Sequence, residues 1–329
     1  MLLTGAGFSR NWGGWLASEA FEYLLGRPEI NPRIRNCLWK NKGNFETTFQ
    51  ELRDALQHTK SETDAVDFGA FNAMLLGMFE AMKLGFRSTP LETDQASSAL
   101  RTSLFLAHFD AISTLNQDTL LEQHYVYQPA HETTHGRWAG VELPGLAPPS
   151  PVVEHGNQIT KAAMRHPLPG GFSNTEGMQP YFKLHGSSNW TYGLGNLLIV
   201  GGAKAADIEN VPLLSWYHQE FSRLITQPNC RLLIVGYSFN DDHINKHLYA
   251  AAAAGTKMFI VDPLGIDVID KRDARAQITQ PYEELFEKLR DSIVGASRRP
   301  LRATLHNDRV ELKKFVDFLG LKIKWTYDS

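Results

Sequence analysis

The chain opens with a short apolar strand that runs directly into a glycine turn, MLLTGAGFSRNWGG. Behind this turn, apolar residues recur at helical spacing from Trp15 to Leu25, which predicts a strand, a turn and a helix. Glycines in such a turn let backbone N–H groups approach a phosphate, and the N-terminus of the following helix favours negative charge. A tight turn without a ligand has the same pattern, so this stretch alone leaves both interpretations open.

The opening differs from the usual dinucleotide-binding fingerprint. In Gly-x-Gly-x-x-Gly the third glycine would fall at position 10, which is Arg10. An acidic ribose-binding residue is expected about 20 residues further on, at the end of a second strand. Glu19 and Glu22 lie inside the first predicted helix instead. The sequence therefore disfavours an ordinary hydride-transferring dehydrogenase.

Four later apolar runs are typical of buried strands, and each is followed by polar residues or by glycine. The first run, 109–115, is followed by Asn116 and Asp118, and the second, 181–184, by His185. The third run, 231–235, is followed by Gly236, Tyr237 and Ser238, and the fourth, 257–261, by Asp262. Ligands of open α/β sheets bind at the carboxyl ends of the strands, so we expect Asn116 and His185 to meet at one edge. We predict an α/β fold with a Rossmann-like parallel sheet flanked by helices.

Each of these polar residues also has a purely structural interpretation. Asp118 is suited to capping the next helix, and Asp262 to a turn before proline. A lone histidine such as His185 is more often structural than catalytic. The second glycine-serine turn, at Gly236, precedes a helix for which Asp241 or Asp242 is the predicted N-cap.

We predict a single domain over residues 1–329, with three additions to the sheet. Helical spacing over about 17–106 indicates a helical insertion over one face, which could serve as a lid or as an assembly surface. The Pro-, Gly- and His-rich stretch 128–179 is longer than an inert connection and is expected to cover the site. A helical tail over about 280–329 ends in a possible edge strand, LKIKW.

Composition excludes several classes of protein. The formal net charge of −3 and the lack of a Lys/Arg run disfavour free nucleic acid as a ligand. No run of about 18 consecutive apolar residues and no secretion signal is present, which favours a cytoplasmic protein without membrane contact. Two cysteines, Cys37 and Cys230, are too few for a four-thiolate zinc site. No spacing of His, Cys or carboxylate residues indicates a metal, so none is expected.

Five motifs in the order GAGFS, LNQD, KLHGS, VGYSFND and IVDP resemble the sirtuin-like superfamily. The likeness is greater to its prokaryotic branch of NAD-consuming antiphage-defence proteins. It extends from about Leu2 to Pro263 and depends on the order and spacing of the motifs. The resemblance implies NAD as the substrate and no metal for its hydrolysis.

The resemblance also implies a role for each matching residue. The first turn, formed by Gly5, Ala6, Gly7, Phe8 and Ser9, matches the stretch around the pyrophosphate of NAD. The second turn, formed by Gly236, Tyr237 and Ser238, matches the turn on the adenosine side, and Asp262 matches a ribose-facing residue. Asn116 matches the asparagine that holds the nicotinamide ribose and a water. Asp118 matches the acidic residue facing the carboxamide, and His185 matches the base that acts on the ribose.

The departures from sirtuin deacylases bear on the substrate. The first motif continues as Asn-Trp-Gly-Gly-Trp rather than as an Ile-Pro-Asp-Phe-Arg-like stretch, and Leu115 replaces the glutamine before the asparagine. The deacylase zinc module needs four cysteines, and this chain has two. We therefore expect no zinc-ribbon module and no acyl-lysine turnover, while NAD binding is unaffected.

The resemblance implies an NAD+ glycohydrolase that acts in bacterial antiphage defence by depleting NAD+. Such an activity is toxic, so we expect gating by homo-oligomerisation or by a partner, such as a HerA-type ATPase or an Argonaute-associated chain. The chain itself lacks a Gly-x4-Gly-Lys-Ser/Thr ATPase motif. Two alternatives remain: a subunit of a defence complex that senses NAD or ADP-ribose without turnover, and a nuclease active only in a complex.

Overall fold

A computed structural model describes residues 1–92, 100–127, 136–148, 164–193, 195–270 and 280–321. Within these ranges the core is a seven-stranded parallel sheet, accompanied by a two-stranded antiparallel hairpin. The strands in chain order are β1 (Leu2–Thr4), β2 (Ile112–Thr114), β3 (Gly140–Glu142), β4 (Met178–Lys183), β5 (Gly186–Tyr192), β6 (Gly195–Leu198), β7 (Arg231–Val235), β8 (Lys257–Val261) and β9 (Ile293–Ser297). The predicted Rossmann-like parallel sheet is confirmed, with β5 and β6 forming the separate hairpin.

The sheet order is β3-β4-β2-β1-β7-β8-β9, which places the opening strand at the centre. β1 pairs with β2 on one side and with β7 on the other, so Thr4 lies beside Thr114 and beside Val235. Because all these strands are parallel, their carboxyl ends lie at one edge. The turns after β1, β2, β4, β7 and β8 therefore meet there, as the sequence predicts.

Helices cover both faces of the sheet. The helices in chain order are α1 (Ala6–Arg10), α2 (Ala17–Leu25), α3 (Pro32–Lys40), α4 (Phe45–Thr59), α5 (Glu62–Arg87), α6 (Thr102–Ala107), α7 (Lys204–Glu209), α8 (Pro212–Ile225), α9 (Asp242–Ala253), α10 (Asp267–Asp270), α11 (Gln280–Ser292), α12 (Leu301–His306) and α13 (Arg309–Leu319). Phe182 of β4 contacts Tyr217 of α8, whereas Phe259 of β8 contacts Phe315 of α13. The strand register places these two strand residues on opposite faces, so the sheet is flanked on both sides.

The segment predicted as a helical insertion forms the four helices α2 to α5, followed by α6. One helix in the described part of the chain, α5, is long and apolar enough to cross a membrane by length and composition alone. It packs on α2, α3 and α4, and Phe71, Met74 and Leu75 on it are buried in the common core. The helices α2 to α5 together form a helical layer, and α5 packs within it as a core helix.

Several elements differ from the sequence prediction, among them the short helix α1, which lies inside the predicted first turn. The residues after Asp118 form a π-helix, Glu122–Val126, rather than a regular α-helix. β3 lies inside the long loop and pairs with β4. The residues IVGAS at the end of the tail helix form β9, which pairs with β8. The predicted edge strand LKIKW lies largely outside the described residues, which end at Leu321.

Candidate active site

A cavity of about 1430 Å³ lies at the carboxyl edge of the sheet, between the strand ends and the helical layer. It is larger than the roughly 300–1,000 Å³ typical of sites for drug-sized ligands, so a dinucleotide is within its capacity. All of the predicted site residues except Phe8 and Ser9 line this cavity. The structure therefore brings the two glycine turns and the polar strand ends to a single place.

The two glycine turns pack against each other, backbone on backbone. A Cβ at Gly7 would lie 2.6 Å from the Cα of Gly236, and a Cβ at Gly5 would lie 2.5 Å from the Gly236 carbonyl oxygen. Gly236 has φ +63°, and a Cβ there would lie 2.4 Å from backbone atoms of Gly7. The Gly7 N–H donates to the Gly236 carbonyl at 3.0 Å. These glycines are thus required for contact between the turns, whether or not they face a phosphate.

Phe8 and Ser9 of the first turn are buried beneath the cavity instead of lining it. The Phe8 ring packs on Trp12, with 5.0 Å between ring centroids. The Ser9 hydroxyl accepts a hydrogen bond from Asn116. Phe8 and Ser9 therefore support the turn from below, whereas Gly5, Ala6 and Gly7 line the cavity, with Ala6 the exposed residue among them.

The second turn contains a strained residue. Phe239 has φ +56°, a conformation that bulky side chains rarely adopt. Its carbonyl accepts from the Asn245 side chain at 2.9 Å, and its ring lies 4.8 Å from that of Tyr237. The Tyr237 hydroxyl donates to Asn245 in turn, at 3.0 Å. This support from α9 fixes the backbone that places Ser238 at the cavity, and such strain is common at binding sites.

Asn116 follows β2 and connects that strand to the first turn. Its side-chain amide donates to the Gly5 carbonyl and to the Ser9 hydroxyl, both at 2.9 Å. Its backbone N–H donates to the Thr114 hydroxyl at 3.0 Å. Asn116 is thus held by contacts with two neighbouring strand ends while it lines the cavity.

Asp118 lines the cavity and also caps its own turn, since its Oδ1 accepts from the Leu120 N–H at 3.0 Å. Beneath it, Lys183 donates to the Asp118 carbonyl and forms an ion pair with Glu122 at 2.5 Å. Lys183 and Glu122 are almost fully buried. Asp118 is therefore not the N-cap of the π-helix, which is Leu121, but it makes a local turn hydrogen bond while it lies in the cavity wall.

His185 comes directly after β4 and is only 3% exposed. Its carbonyl accepts from the Ile199 N–H at 3.0 Å, which fixes the backbone against the end of β6. Burial lowers the pKa of His185 well below its usual value; Asp241 opposes this shift, whereas Lys204 and His243 add to it. The imidazole is therefore neutral at pH 7, the form that can accept a proton.

Behind His185 lies a polar group that the sequence did not indicate. The Nε2 atom of His185 is 2.8 Å from Nε2 of His243, the second residue of α9. Asp241, the N-cap residue of α9, makes no side-chain capping bond. Its Oδ1 instead accepts from Lys204 at 2.7 Å, and Lys204 also pairs with Glu46 at 2.8 Å. His185, Asp241 and His243 are close enough together to hold a metal ion, a grouping that the sequence spacing did not indicate.

Asp262 follows β8 at the opposite end of the cavity from His185. Its Oδ1 accepts from the Leu264 N–H at 2.9 Å, and its own N–H donates to the Ser297 carbonyl. The predicted turn role is therefore present, and Asp262 lines the cavity wall, as does Arg299. The sequence did not indicate Arg299 as a cavity residue, because Arg299 follows β9, a strand that the sequence analysis did not predict.

The helical layer supplies an apolar wall to the cavity. Trp15, Phe45, Met78, Phe79 and Met82 line it from α2, α4, α5 and the segments before them. The insertion is therefore part of the site. The described residues of the long loop, 136–148 and 164–179, do not line the cavity, although the sequence led us to expect this loop over the site. One of them, Pro144, accepts a hydrogen bond from Tyr217 of α8.

The cavity has polar residues at the strand ends, called its floor below, and apolar residues from the helical layer on the opposite side. An asparagine, an aspartate and a neutral histidine lie at adjacent strand ends, and two narrow backbone turns lie beside them. Such a site can bind an elongated polar ligand, orient a water and accept one proton. Of the histidines in the long loop, for which the sequence indicates surface positions, His166 is exposed, whereas His131, His135 and His155 lie outside the described residues.

A family model described as "SIR2-like domain" matches residues 110–286, more than half of the chain. The matched range contains Asn116, Asp118, His185, the second glycine turn and Asp262, whereas the first turn precedes it. No curated protein matches the chain.

Proposed function

The chain belongs to the SIR2-like domain family, and from the site described above we propose that it is an NAD+ glycohydrolase, which cleaves NAD+ to nicotinamide and ADP-ribose. NAD binding is the common property of SIR2-like domains, so the family supports the substrate but leaves the reaction open. The observation that carries the proposal is the placement of Asn116 and His185 at adjacent strand ends of one cavity, beside two paired glycine turns.

The residues of the cavity fit a dinucleotide from end to end. The paired turns at Gly7 and Gly236 lie in the middle of the sheet edge, where a pyrophosphate would pass close to backbone. Asp262 lies to one side, where a carboxylate can accept from ribose hydroxyls. Asn116 and His185 lie to the other side, where the nicotinamide ribose would be placed.

The reaction suits a site without a strong acid. The nicotinamide ring nitrogen is already cationic in NAD+, so the leaving group departs neutral and needs no proton, unlike that of an ordinary glycoside. The protein must instead stabilise the positive charge that develops on the ribose and admit water as the acceptor. Addition of water releases one proton, which must go to a base.

Each residue of the floor has a task in this scheme. Asn116 would orient the ribose and the attacking water through its side-chain amide. His185, being neutral at pH 7, would take the proton from the water or from a ribose hydroxyl. Asp118 would face the carboxamide of nicotinamide and fix the orientation of the ring. The apolar wall from the helical layer would exclude bulk water.

We also propose that the activity serves antiphage defence by NAD+ depletion and that a partner or self-assembly controls it. Support comes from the resemblance of the five motifs and from the toxicity of unregulated NAD+ loss. A HerA-type ATPase is the first partner to test, and an Argonaute-associated chain is the second. A cytoplasmic location belongs to the same proposal.

One observation favours a second candidate, a subunit that senses NAD or ADP-ribose without turnover. In this structure Nε2 of His185 is engaged by His243, and the Asn116 amide is engaged by Gly5 and Ser9. Both groups would have to exchange these contacts before they could act on a ligand. A sensor needs no such exchange.

The test is incubation of the purified protein with NAD+, with nicotinamide and ADP-ribose followed by chromatography. The protein is assayed alone and together with the product of the neighbouring gene, and His185→Ala is the matched control. Nicotinamide release that disappears in His185→Ala supports the hydrolase. Binding of NAD+ without release in any mixture supports the sensor.

A further inference from the structure

Three side chains with metal-binding chemistry converge beside the proposed base. One ligand atom from each of His185, Asp241 and His243 lies within 4.8 Å of the other two. The two imidazole nitrogens, both Nε2, are 2.8 Å apart. The three residues come from the end of β4 and from the start of α9, so two rigid elements hold them.

The side-chain chemistry suits a metal. Histidine binds metal ions through a ring nitrogen, and aspartate binds them through a carboxylate oxygen. His185 is buried, and Asp241 and His243 are half-buried, so the three ligand atoms are largely shielded from bulk water.

The number and type of ligands match an open site. Two histidines and one carboxylate, with a remaining position for water, are a common set in catalytic zinc sites. His185 and Asp241 both line the cavity, so the open position would face it. Ligand nitrogens on one tetrahedral zinc ion lie about 3.3 Å apart, from Zn–N distances of about 2.0–2.1 Å. The two rings therefore need to separate only slightly to admit the ion.

The local charge also permits a cation. The Lys204 ammonium forms an ion pair with Asp241 of the trio and a second one with Glu46. Two carboxylates thus surround one ammonium. Lys204 occupies Oδ1 of Asp241, and an ionised carboxylate has a second oxygen that can bind a metal.

We propose that His185, His243 and Asp241 form a binding site for a divalent transition metal ion of the zinc type, and that the bound ion inhibits the enzyme. The inhibitory part rests on the proposed function. An ion on Nε2 of His185 occupies the lone pair that would accept the proton, so the metal-bound protein has no free base at this position.

The binding test uses Co²⁺ and Zn²⁺ as probes on the purified full chain. We expect one Co²⁺ per chain, with visible absorption bands typical of nitrogen and oxygen coordination, and displacement of Co²⁺ by Zn²⁺. His243→Gln and Asp241→Asn should each weaken Zn²⁺ binding in equilibrium dialysis by at least about tenfold. Zn²⁺ should also raise the melting temperature of the wild type and not that of these variants.

His247→Gln is the matched control, because His247 lies on the same helix one turn after His243 and outside the trio. It should bind Zn²⁺ as the wild type does. The proposal is overturned if the wild type binds neither ion at about 1 mM, a concentration that would half-saturate a site with a millimolar Kd. It is also overturned if His243→Gln binds Zn²⁺ as tightly as the wild type.

The inhibition test compares NAD+ cleavage with and without Zn²⁺ in each protein, relative to its own metal-free rate. We expect Zn²⁺ to stop cleavage by the wild type and by His247→Gln, and EDTA to restore it. Cleavage that persists in a Zn²⁺-saturated wild type overturns the inhibitory role. If no protein cleaves NAD+, the proposed function has failed, and the dialysis result still decides whether the metal site exists.

Discussion

The side-chain amide of Asn116 donates to the backbone carbonyl of Gly5 at 2.9 Å, which joins the end of β2 to the turn after β1. The same nitrogen donates to the Ser9 hydroxyl. Asn116 therefore has a structural task in the turn as well as a proposed task toward the ribose. An experiment on Asn116 has to separate these two contributions.

Asn116→Ala should reduce nicotinamide release from NAD+ by about 100-fold or more, the range found when an oriented polar group is removed from a reaction site. Chromatography of the products measures the rate. NAD+ binding, measured by calorimetry, should weaken far less, because the paired glycine turns remain. A variant with unchanged turnover would remove Asn116 from the proposed mechanism.

Ser9→Ala is the matched control for the structural part. It deletes one acceptor of the Asn116 amide but leaves the Gly5 carbonyl in place. We expect a loss of about 1 kcal/mol in the free energy of unfolding and only a small loss of turnover. Equal losses of turnover in Ser9→Ala and Asn116→Ala would show that the amide acts mainly by holding the turn.

Gly236→Ala should destabilise the fold strongly. Gly236 has φ +63°, and the added Cβ would lie 2.4 Å from backbone atoms of Gly7, which cannot rotate away. Gly255→Ala is the matched control, since Gly255 has φ +86° but no atom within 4 Å of the position that the added methyl group would take. Gly255→Ala should cost about 1–2 kcal/mol for the left-handed backbone alone. Gly236→Ala should cost about 1–3 kcal/mol more, measured by urea unfolding.

Equal unfolding free energies for the two alanine variants would contradict the close packing of the turns. We also expect Gly236→Ala to lose NAD+ binding, because the first turn must shift to accommodate the methyl group. Gly255→Ala should retain binding, since Gly255 lies at the far end of α9, before β8.

The sheet and the strand-end residues of the cavity were predictable because their signals are local. The apolar runs around Ile112, Tyr181, Leu233 and Ile260 are buried on both faces, and each ends in a polar or glycine residue. Parallel pairing then brings those ends to one edge. β9 was missed because it is a short edge strand with partly exposed residues, directly continuous with the preceding helix.

The remaining parts of the site depend on contacts between distant segments. His243 meets His185 across 58 positions, and Lys204 meets Glu46 across 158. Residues this far apart form no local sequence pattern, so these two contacts can be seen only in the folded structure. The sequence also does not show why position 236 requires glycine, because its close contact with Gly7 forms only when β1 and β7 pair.

Lys183→Met should destabilise the protein by about 3–5 kcal/mol, because it leaves the Glu122 carboxylate buried without its partner. Lys183 also donates to the Asp118 carbonyl, so the turn at the cavity should loosen as well. Adding Glu122→Leu to Lys183→Met should recover most of the lost stability, since an apolar pair needs no compensation. Urea unfolding of the wild type, the single and the double variant measures this, and a double variant less stable than the single one would refute it.

His218 should make the fold sensitive to acid. It lies on the buried side of α8, its Nε2 is 3.0 Å from the Leu184 carbonyl, and burial lowers its pKa to about 3. In the unfolded chain His218 has the ordinary histidine pKa near 6.5. Between pH 3 and pH 6.5, therefore, His218 binds a proton in the unfolded chain but not in the folded chain. The stabilising effect of the neutral form is complete above the unfolded pKa and is lost as the pH falls towards 3.

In metal-free buffer, the free energy of unfolding should fall by up to about 1.4 kcal/mol per pH unit for His218 as the pH falls below 6.5. His218→Gln keeps an N–H donor for the Leu184 carbonyl but cannot titrate, so its stability should fall less steeply over the same pH range. His166→Gln, at an exposed position, is the control and should follow the wild type. Urea unfolding at pH 7.5, 6.5, 5.5 and 4.5, roughly spanning the titration, measures the slopes. Identical slopes in the wild type and in His218→Gln would mean that His218 is charged or exposed in the folded protein.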